Sequence, residues 1–558
     1  MSLLFLAIVV VTLLSIFYVA YGRFLKGQLG IDDSHVTPAH RHNDGVDFMP
    51  TKPFWLFAQH FSAISAAGPI AGPIIACMMW GWLPCLLWIA CGVVVIGAVH
   101  DYLSLVISVR HGALSIASIA KEQVGQRAGL MMMAFIWLAL IYVIIAFTDI
   151  TAASFVSKTE ELSAATIDFN AGGAVGLSAC LYLVISLCLG VVERFFKPKT
   201  WVVASIFVPL TFFAIWLATK WSFLLVFDTT TWCLIILAYC FVASMMPMWL
   251  LLQPRGFLGG FILYAALMVG IIGIVGGNYS IKQEAFKVVD AGSMSMIFPF
   301  LFVTIACGAC SGFHGLVCSG TTAKQIDKES HMHAVGYGAM LCEAMVAFMA
   351  LATIMILSPD EIKGLKPGAI YGKGIGEFLT LIIGKENMVF ATTFGAMAFS
   401  TFVFDTLDVA TRLGRYVVQE LCNLKGLLGA LVATAITVAL PFLFVMQATP
   451  GSYVQFWTLF GASNQLLAAL TLLSITMWLY QAKKRVAYTL IPMLFVLLTT
   501  TAALLSIAWD NLSQTEASSI ATINGLIALC LIALALYIVV SAIFKVWPRP
   551  VKVRANNS

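Results

Sequence analysis

Charge is scarce in this chain: Asp, Glu, Lys and Arg make up only 10% of its 558 residues. A soluble domain carries about a quarter, so that class is excluded. No Gly-x-x-x-x-Gly-Lys-[Ser/Thr] stretch occurs, which excludes the phosphate loop of a built-in ATP motor. The small net charge of +5 comes from loops and points to no nucleic-acid partner. No small-residue cleavage site follows the apolar run Leu3 to Ala20 before Tyr21-Gly22-Arg23, so this segment is expected to stay as a helix and not to act as a signal peptide. Most of the 13 cysteines stand singly in apolar runs, as Cys77, Cys91, Cys240 and Cys342 do, where cysteine is a small packing residue.

What is there is hydrophobic. Apolar residues make up 61% of the chain and the mean hydropathy is +0.96. The fold class expected is an all-α polytopic membrane protein with about fifteen transmembrane helices. Lys and Arg divide between alternate loops roughly three to one, which sets the N-terminus outside and the C-terminus in the cytoplasm. Arg255 falls among the cytoplasmic loop residues in this count. The layout reads as an N-terminal helix over 1–25, a cytoplasmic loop over 26–53, helical units over 54–218 and 231–409, C-terminal helices over 426–545 and a basic cytoplasmic tail over 546–558. The outer loop Ser358 to Asn387 contains an apolar run, Phe378–Ile383, that suits either a re-entrant hairpin or a solvated loop.

The span 54–80 is interrupted by Gly68-Pro69-Ile70-Ala71-Gly72-Pro73. Proline removes backbone donors, and in lipid the freed groups persist only where they line a cavity or are covered by protein. Such discontinuous helices mark the binding sites of secondary transporters. The unit 231–409 opens on Ser244-Met245-Met246-Pro247, followed by Gln253-Pro254-Arg255-Gly256. Five spans per unit force the second to run inverted. The plan is a five-plus-five inverted repeat, with one additional N-terminal helix and about four C-terminal ones. Its third helix in the second unit, 292–318, is expected to pack beside 54–80, bringing small residues and the hydroxyls of Thr304 and Ser311 to that neighbour as candidate ion ligands.

Several blocks carry a resemblance. They are Asn43-Asp44-Gly45 through Pro50-Thr51-Lys52, His60-Phe61, the double Gly-Pro, Gly97-Ala98-Val99-His100-Asp101, Ala306-Cys307-Gly308-Ala309 with Ser311-Gly312-Phe313-His314, Ser319-Gly320-Thr321-Thr322, Gly336-Tyr337-Gly338-Ala339-Met340, Thr411-Arg412-Leu413-Gly414-Arg415-Tyr416 and Phe460-Gly461-Ala462-Ser463-Asn464-Gln465. Together they resemble the carbon starvation protein A (CstA) family over residues 43 to 470. The resemblance implies a bacterial inner (plasma) membrane uptake protein of the amino acid-polyamine-organocation superfamily, with a leucine-transporter-like (LeuT-like) core, taking up peptides or pyruvate with protons. The chain departs from the family pattern at Gln59, where a second histidine is common, and at His100, where glutamine is common.

Ionisable side chains at membrane depth cost about 2.5–3.5 kcal/mol and are functional candidates by default. His60, Asp101 and Glu343 are the expected proton carriers, each weighed against a structural hydrogen-bonding role. For a substrate carboxylate the amides around Gly68, Ile70, Ala71 and Gly72 are suited, with Gln59, Ser62, Ser65 and Gln253 adding neutral bonds and Trp249 or Trp457 as a wall. Asp405, Asp408, Arg412 and Arg415 share one helix face and could interlock as an inner gate or as a helix-end network. Asp149 reads as a solvated helix end. The Ser463-Asn464-Gln465 motif is expected to pack on the core without direct contact. Cys307, Cys310 and His314 have a spacing from which a metal site could be built, but neither a metal nor a cofactor is expected.

The function expected is a symporter for a small carboxylate such as pyruvate or for short peptides, driven by protons, with sodium as the alternative and the lipid bilayer as its other partner. A sensor feeding a kinase would need a soluble output surface, and the cytoplasmic loops are short apart from 22–53. A membrane enzyme would have to rest on His100-Asp101 and the two cysteines with His314.

Overall fold

The computed structural model describes residues 2–44, 48–65, 67–156, 169–287, 296–447, 453–513 and 519–546. The basic tail expected over 546–558 lies outside them from residue 547 on, as does Gly45. The described residues are helical, and their only ladder pairings are the isolated bridges Ser2–Ser280 and Thr51–Ile326.

In chain order the main helices are α1 (Leu3–Leu29), α2 (Pro53–Ile64), α3 (Gly68–Trp80), α4 (Trp82–Arg110), α5 (Gln126–Phe155), α6 (Ala171–Phe196), α7 (Thr200–Lys220), α8 (Thr229–Met245) and α9 (Leu252–Gly276). They continue as α10 (Ile297–Thr304), α11 (Gly312–Gly320), α12 (His333–Met355), α13 (Pro367–Ile383), α14 (Met388–Leu421), α15 (Gly426–Gln447), α16 (Tyr453–Gln481), α17 (Ala487–Leu512) and α18 (Ser519–Val546). Among the described residues twelve helices are long and apolar enough to cross a membrane, or thirteen when α2 and α3 count as one bent span. The unit expected to open at 231 starts on the 17-residue α8, which stops at Met245, and the helix expected over 292–318 falls on α10 and α11.

The bend of 43° between α2 and α3 follows from the sequence. Ser65 leaves the helical region at φ −78°, ψ 49°, and Pro69 enters the first turn of α3, where its missing N–H costs nothing. The second break was expected to be a continuous helix. Instead, α10 ends at Thr304, and the small-residue run Ile305 to Ser311 crosses the interior before α11 begins.

Orphaned carbonyls at the end of α10 are met by side chains from elsewhere. Trp457 Nε1 donates to the Thr304 oxygen at 3.0 Å, Trp88 Nε1 to Ile305 at 3.2 Å and Gln465 Nε2 to Phe302 at 2.9 Å. The helices that follow the two broken spans each contain a π-helical turn, Val93–Gly97 in α4 and His333–Gly338 in α12.

Around these elements α5 packs on α14 and α16, and α13 lies along α14 as a buried helix rather than a solvated loop. Helix α16 is the most enclosed long helix, while α1 and α18 turn exposed apolar faces such as Phe5, Ile8, Leu526 and Phe544 outward. Outward apolar faces on helices with internally satisfied backbones are what a bilayer requires.

Candidate functional site

The two breaks meet. A Cβ on Gly72 would lie 2.6 Å from the Thr304 carbonyl oxygen, and Gly68 is held as closely against Cys307. Glycine at these positions lets the two irregular backbones touch. Beside the crossing is a small pocket lined by Ile64, Gly68 and Pro69 from the first broken span and by Cys307, Ser311, Phe313 and His314 from the second. Val143 and Phe147 of α5, Thr406 of α14 and Phe460 of α16 complete the lining.

One wall of this cavity leads into a chain of buried titratable groups. His314 Nδ1 lies 2.8 Å from Asp101 Oδ2, and its Nε2 lies 3.3 Å from Glu343 Oε2. Asp101 Oδ1 is 2.7 Å from His100 Nδ1. His60 joins the same cluster through Cys318, whose Sγ is 3.9 Å from His60 Nε2 and donates to the Asp101 carbonyl at 3.5 Å. The other ring nitrogen of His60 pairs with Thr322 Oγ1 at 2.9 Å. All five titratable residues are at most 1% exposed. The three expected proton carriers thus share one cluster, and His314, which was not among the expected proton carriers, joins Asp101 to Glu343. Its partners lie 213 and 29 residues away, so no local spacing signals the contact.

The acidic face of α14 does not interlock with its own arginines. Arg255, expected in a cytoplasmic loop, is fully buried in the first turn of α9 and pairs with Asp408 and, at 3.2 Å, with Asp405. Tyr239 donates to Asp408 Oδ2 at 2.8 Å, and Tyr182 to the Arg255 carbonyl at 2.7 Å. Arg412 donates to the carbonyls of Ala243 and Met246, both at 2.9 Å, and Arg415 to Ser244 at 2.6 Å. These two arginines therefore cap the C-terminus of α8, where the macrodipole favours cations.

The other expected substrate groups scatter. Ile70 and Ala71 already donate their amides to the Ala67 carbonyl, at 3.1 and 2.9 Å, and so do not present them to a carboxylate. Ser65 is buried with its hydroxyl unpartnered, Ser62 is half-buried, and Gln59 and Gln253 are exposed and outside the cavity lining. Thr304 is buried at the crossing. Trp249 carries the Arg194 guanidinium 5.5 Å over its ring, whereas Trp457 stacks on the cavity residue Phe147 at 5.8 Å. Asp149 is not a solvated end: α5 continues to Phe155 and the carboxylate is buried.

The Ser463-Asn464-Gln465 motif does more than pack. Asn464 Oδ1 accepts the Phe313 amide at 2.9 Å, while Nδ2 donates to Ser311 Oγ at 3.0 Å and to Cys307 Sγ at 3.4 Å. One side chain from α16 thereby supplies the cap that α11 lacks. Among the described residues no group of three or more His, Cys, Asp or Glu side chains is arranged to hold a metal ion.

Beneath His60, the loop carrying Thr322 is latched to the segment after α1. Glu329 accepts from Arg110 Nε at 3.1 Å, from Arg110 Nη2 at 2.9 Å and from the Asp32 amide at 3.1 Å. Arg110 also reaches the carbonyls of Leu29 and Gly30, and Asp33 takes the Ser330 amide and hydroxyl, each at 2.8 Å. Burial works to raise the Glu329 carboxyl, but the Arg110 and Asp32 hydrogen bonds outweigh it and hold it below its usual value.

A family model described as carbon starvation protein CstA matches residues 1–373 and 362–503. The peptide transporter CstA of Campylobacter jejuni is 32% identical, over 89% of this chain and 79% of its own length. The pyruvate/proton symporter BtsT of Escherichia coli K12 is 29% identical, over 89% and 81%. The peptide transporter CstA of Bacillus subtilis is 30% identical, over 96% of both. A solved sodium-coupled sialic acid symporter superposes with a TM-score of 0.40 at 10% identity, covering 96% of this chain and 97% of its own.

Proposed function

Because the chain belongs to the carbon starvation protein CstA family, whose members are transporters and not enzymes, we propose that it is a secondary active symporter importing a small carboxylate such as pyruvate, or a short peptide, with protons. The observation that carries this reading is the cavity between two broken spans, with Asp101, Glu343 and His60 in one buried cluster behind it. Transporters bind substrate at such interruptions, and a buried acid cluster is where a coupling proton can be exchanged. The relatives named above include a pyruvate/proton symporter and two peptide transporters. The sodium alternative has one fewer free ligand, because the Ser311 hydroxyl is engaged by Asn464.

The finer architecture belongs to the same proposal. Two broken spans, each followed by a helix with a π-helical turn, support an inverted repeat whose units open at residues 53 and 297. That moves the second opening from 231 to 297. Seven apolar helical segments, from α2–α3 through α9, then precede the second unit, and an odd number inverts it if each crosses the membrane. The chain would lie in the bacterial inner membrane with its N-terminus outside, so that the latch of residues 30–44 on 321–332 faces the cytoplasm.

Purified protein in liposomes, given labelled pyruvate or labelled dialanine under an inward proton gradient, a sodium gradient or none, tests the reading. Accumulation that an uncoupler abolishes is the expected result. Gradient-independent equilibration, or no uptake of either compound, would refute it.

A further inference from the structure

We propose that His314 is the coupling residue of the transporter, shared between the substrate cavity and the buried acids, and that it carries the transported proton while a substrate carboxylate occupies the cavity. This deepens the symporter reading and rests on it.

The cavity lining contains one imidazole, that of His314, and no carboxylate. This ring, a lining group that could take a charge beside the substrate, also contacts the acids behind the wall. It does so on both nitrogens, with Asp101 at 2.8 Å on one edge and Glu343 at 3.3 Å on the other. The two acids differ in what else holds them. Asp101 also faces His100, at 2.7 Å, whereas neither oxygen of Glu343 has a hydrogen bond among the described residues, and its 3.3 Å approach to His314 is its ion-pair contact. Other titratable neighbours are His60 of α2, Cys318 one turn along α11, and Cys310 and Cys307 in the break.

This asymmetry defines one mobile proton. With Nδ1–H donated to Asp101, the Nε2 lone pair faces Glu343. Transfer breaks the Glu343 O–H bond and forms an Nε2–H bond, giving an imidazolium between two carboxylates, and a proton from bulk water then restores the Glu343 O–H, so that the cluster has taken up one proton in all. A monoanion arriving in the cavity favours that charged form, because a buried cation with an added anionic neighbour is better compensated. By linkage the proton then favours the anion by the same factor. Proton and carboxylate bind together, which is the requirement of symport.

The test separates coupling from passage. In proteoliposomes with the membrane potential clamped, a pH difference of one unit supports about tenfold accumulation of labelled pyruvate at one proton per substrate. His314→Gln is expected to abolish accumulation while exchange of labelled for unlabelled pyruvate persists with a raised KM. It should also remove the rise in wild-type substrate affinity as the pH is lowered. Accumulation by His314→Gln at the wild-type level would overturn the proposal, as would loss of exchange along with accumulation in a variant that melts like the wild type. Should that variant fail to fold, Glu343→Gln, which keeps the imidazole and removes its proton donor, is expected to give the same uncoupled exchange. Uphill accumulation by Glu343→Gln would overturn the proposal. A wild type that accumulates neither pyruvate nor dialanine overturns the symporter reading together with this one, so the two failures are distinguishable.

Discussion

Arg255 of α9 and Asp408 of α14 form an ion pair with both side chains almost wholly enclosed, 153 residues apart in sequence. Tyr239 bonds Asp408 beside it, and the Arg255 guanidinium also lies 5.3 Å from the Phe404 ring. The pair ties the first turn of α9 to the middle of α14, close to the carbonyls that Arg412 and Arg415 cap.

Removing one member of such a pair leaves an uncompensated charge, at a cost of about 3–5 kcal/mol. Arg255→Met is therefore expected to lower the melting temperature in detergent strongly, and adding Asp408→Leu together with Asp405→Asn, which removes both of its carboxylate partners, should restore much of the loss. A single variant as stable as the wild type would show that the pair does not stabilise the bundle.

Asn464 makes three hydrogen bonds into the second break, all of them to residues that line the cavity. Its replacement by Ala removes the cap on the Phe313 amide, worth about 1–2 kcal/mol by analogy with N-caps. Reduced uptake is expected together with a modest fall in melting temperature. Gln465→Ala, which frees only the Phe302 carbonyl, should perturb uptake less. Equal effects of the two would mean that the break tolerates either loss and that Asn464 has no special place.

These cases show how far the sequence could be read. Hydropathy located nearly every helix, because a bilayer demands long apolar runs, and the Gly-Pro pairs located the first break, because proline leaves a chemical mark. The second break carries no proline between Ile305 and Ser311, only small residues that equally suit a packed helix. His60, Asp101 and Glu343 stood out because charge is rare at membrane depth. Their connection through His314 did not, since contacts between residues as far apart as 101 and 314 exist only after packing. Arg255 was misplaced because a cation near a Gln-Pro interruption looks like a loop residue until Asp405 and Asp408 are brought to it.

The Glu329 latch predicts a pH dependence. Its carboxyl is held below the usual value, so the stability it contributes is fully present above the unfolded carboxylate pKa and is lost as the pH falls through the lowered folded one. The difference in melting temperature between the wild type and Glu329→Gln should be constant near neutral pH and close as the pH drops below about 4. Asp33, likewise lowered through its bonds to Ser330, will keep part of the acid sensitivity in the variant. A gap independent of pH would place the stabilisation in shape and not in charge.

At the crossing of the broken spans, Gly72 and Gly260 offer a controlled comparison. A methyl group on Gly72 would lie 2.6 Å from the Thr304 oxygen, a backbone atom whose carbonyl is already fixed by Trp457, so the two spans must move apart. On Gly260 the nearest atom is the Ser62 hydroxyl at 3.9 Å, an ordinary contact. Overpacking of the first kind costs about 1–3 kcal/mol, whereas Gly→Ala within a helix at an open site is neutral or stabilising by up to about 1 kcal/mol. Gly72→Ala should therefore lose both thermal stability and uptake while Gly260→Ala retains both. If Gly72→Ala transports normally, the close approach of Gly72 to Thr304 is not needed for transport, and the cavity beside it would have to form without that contact.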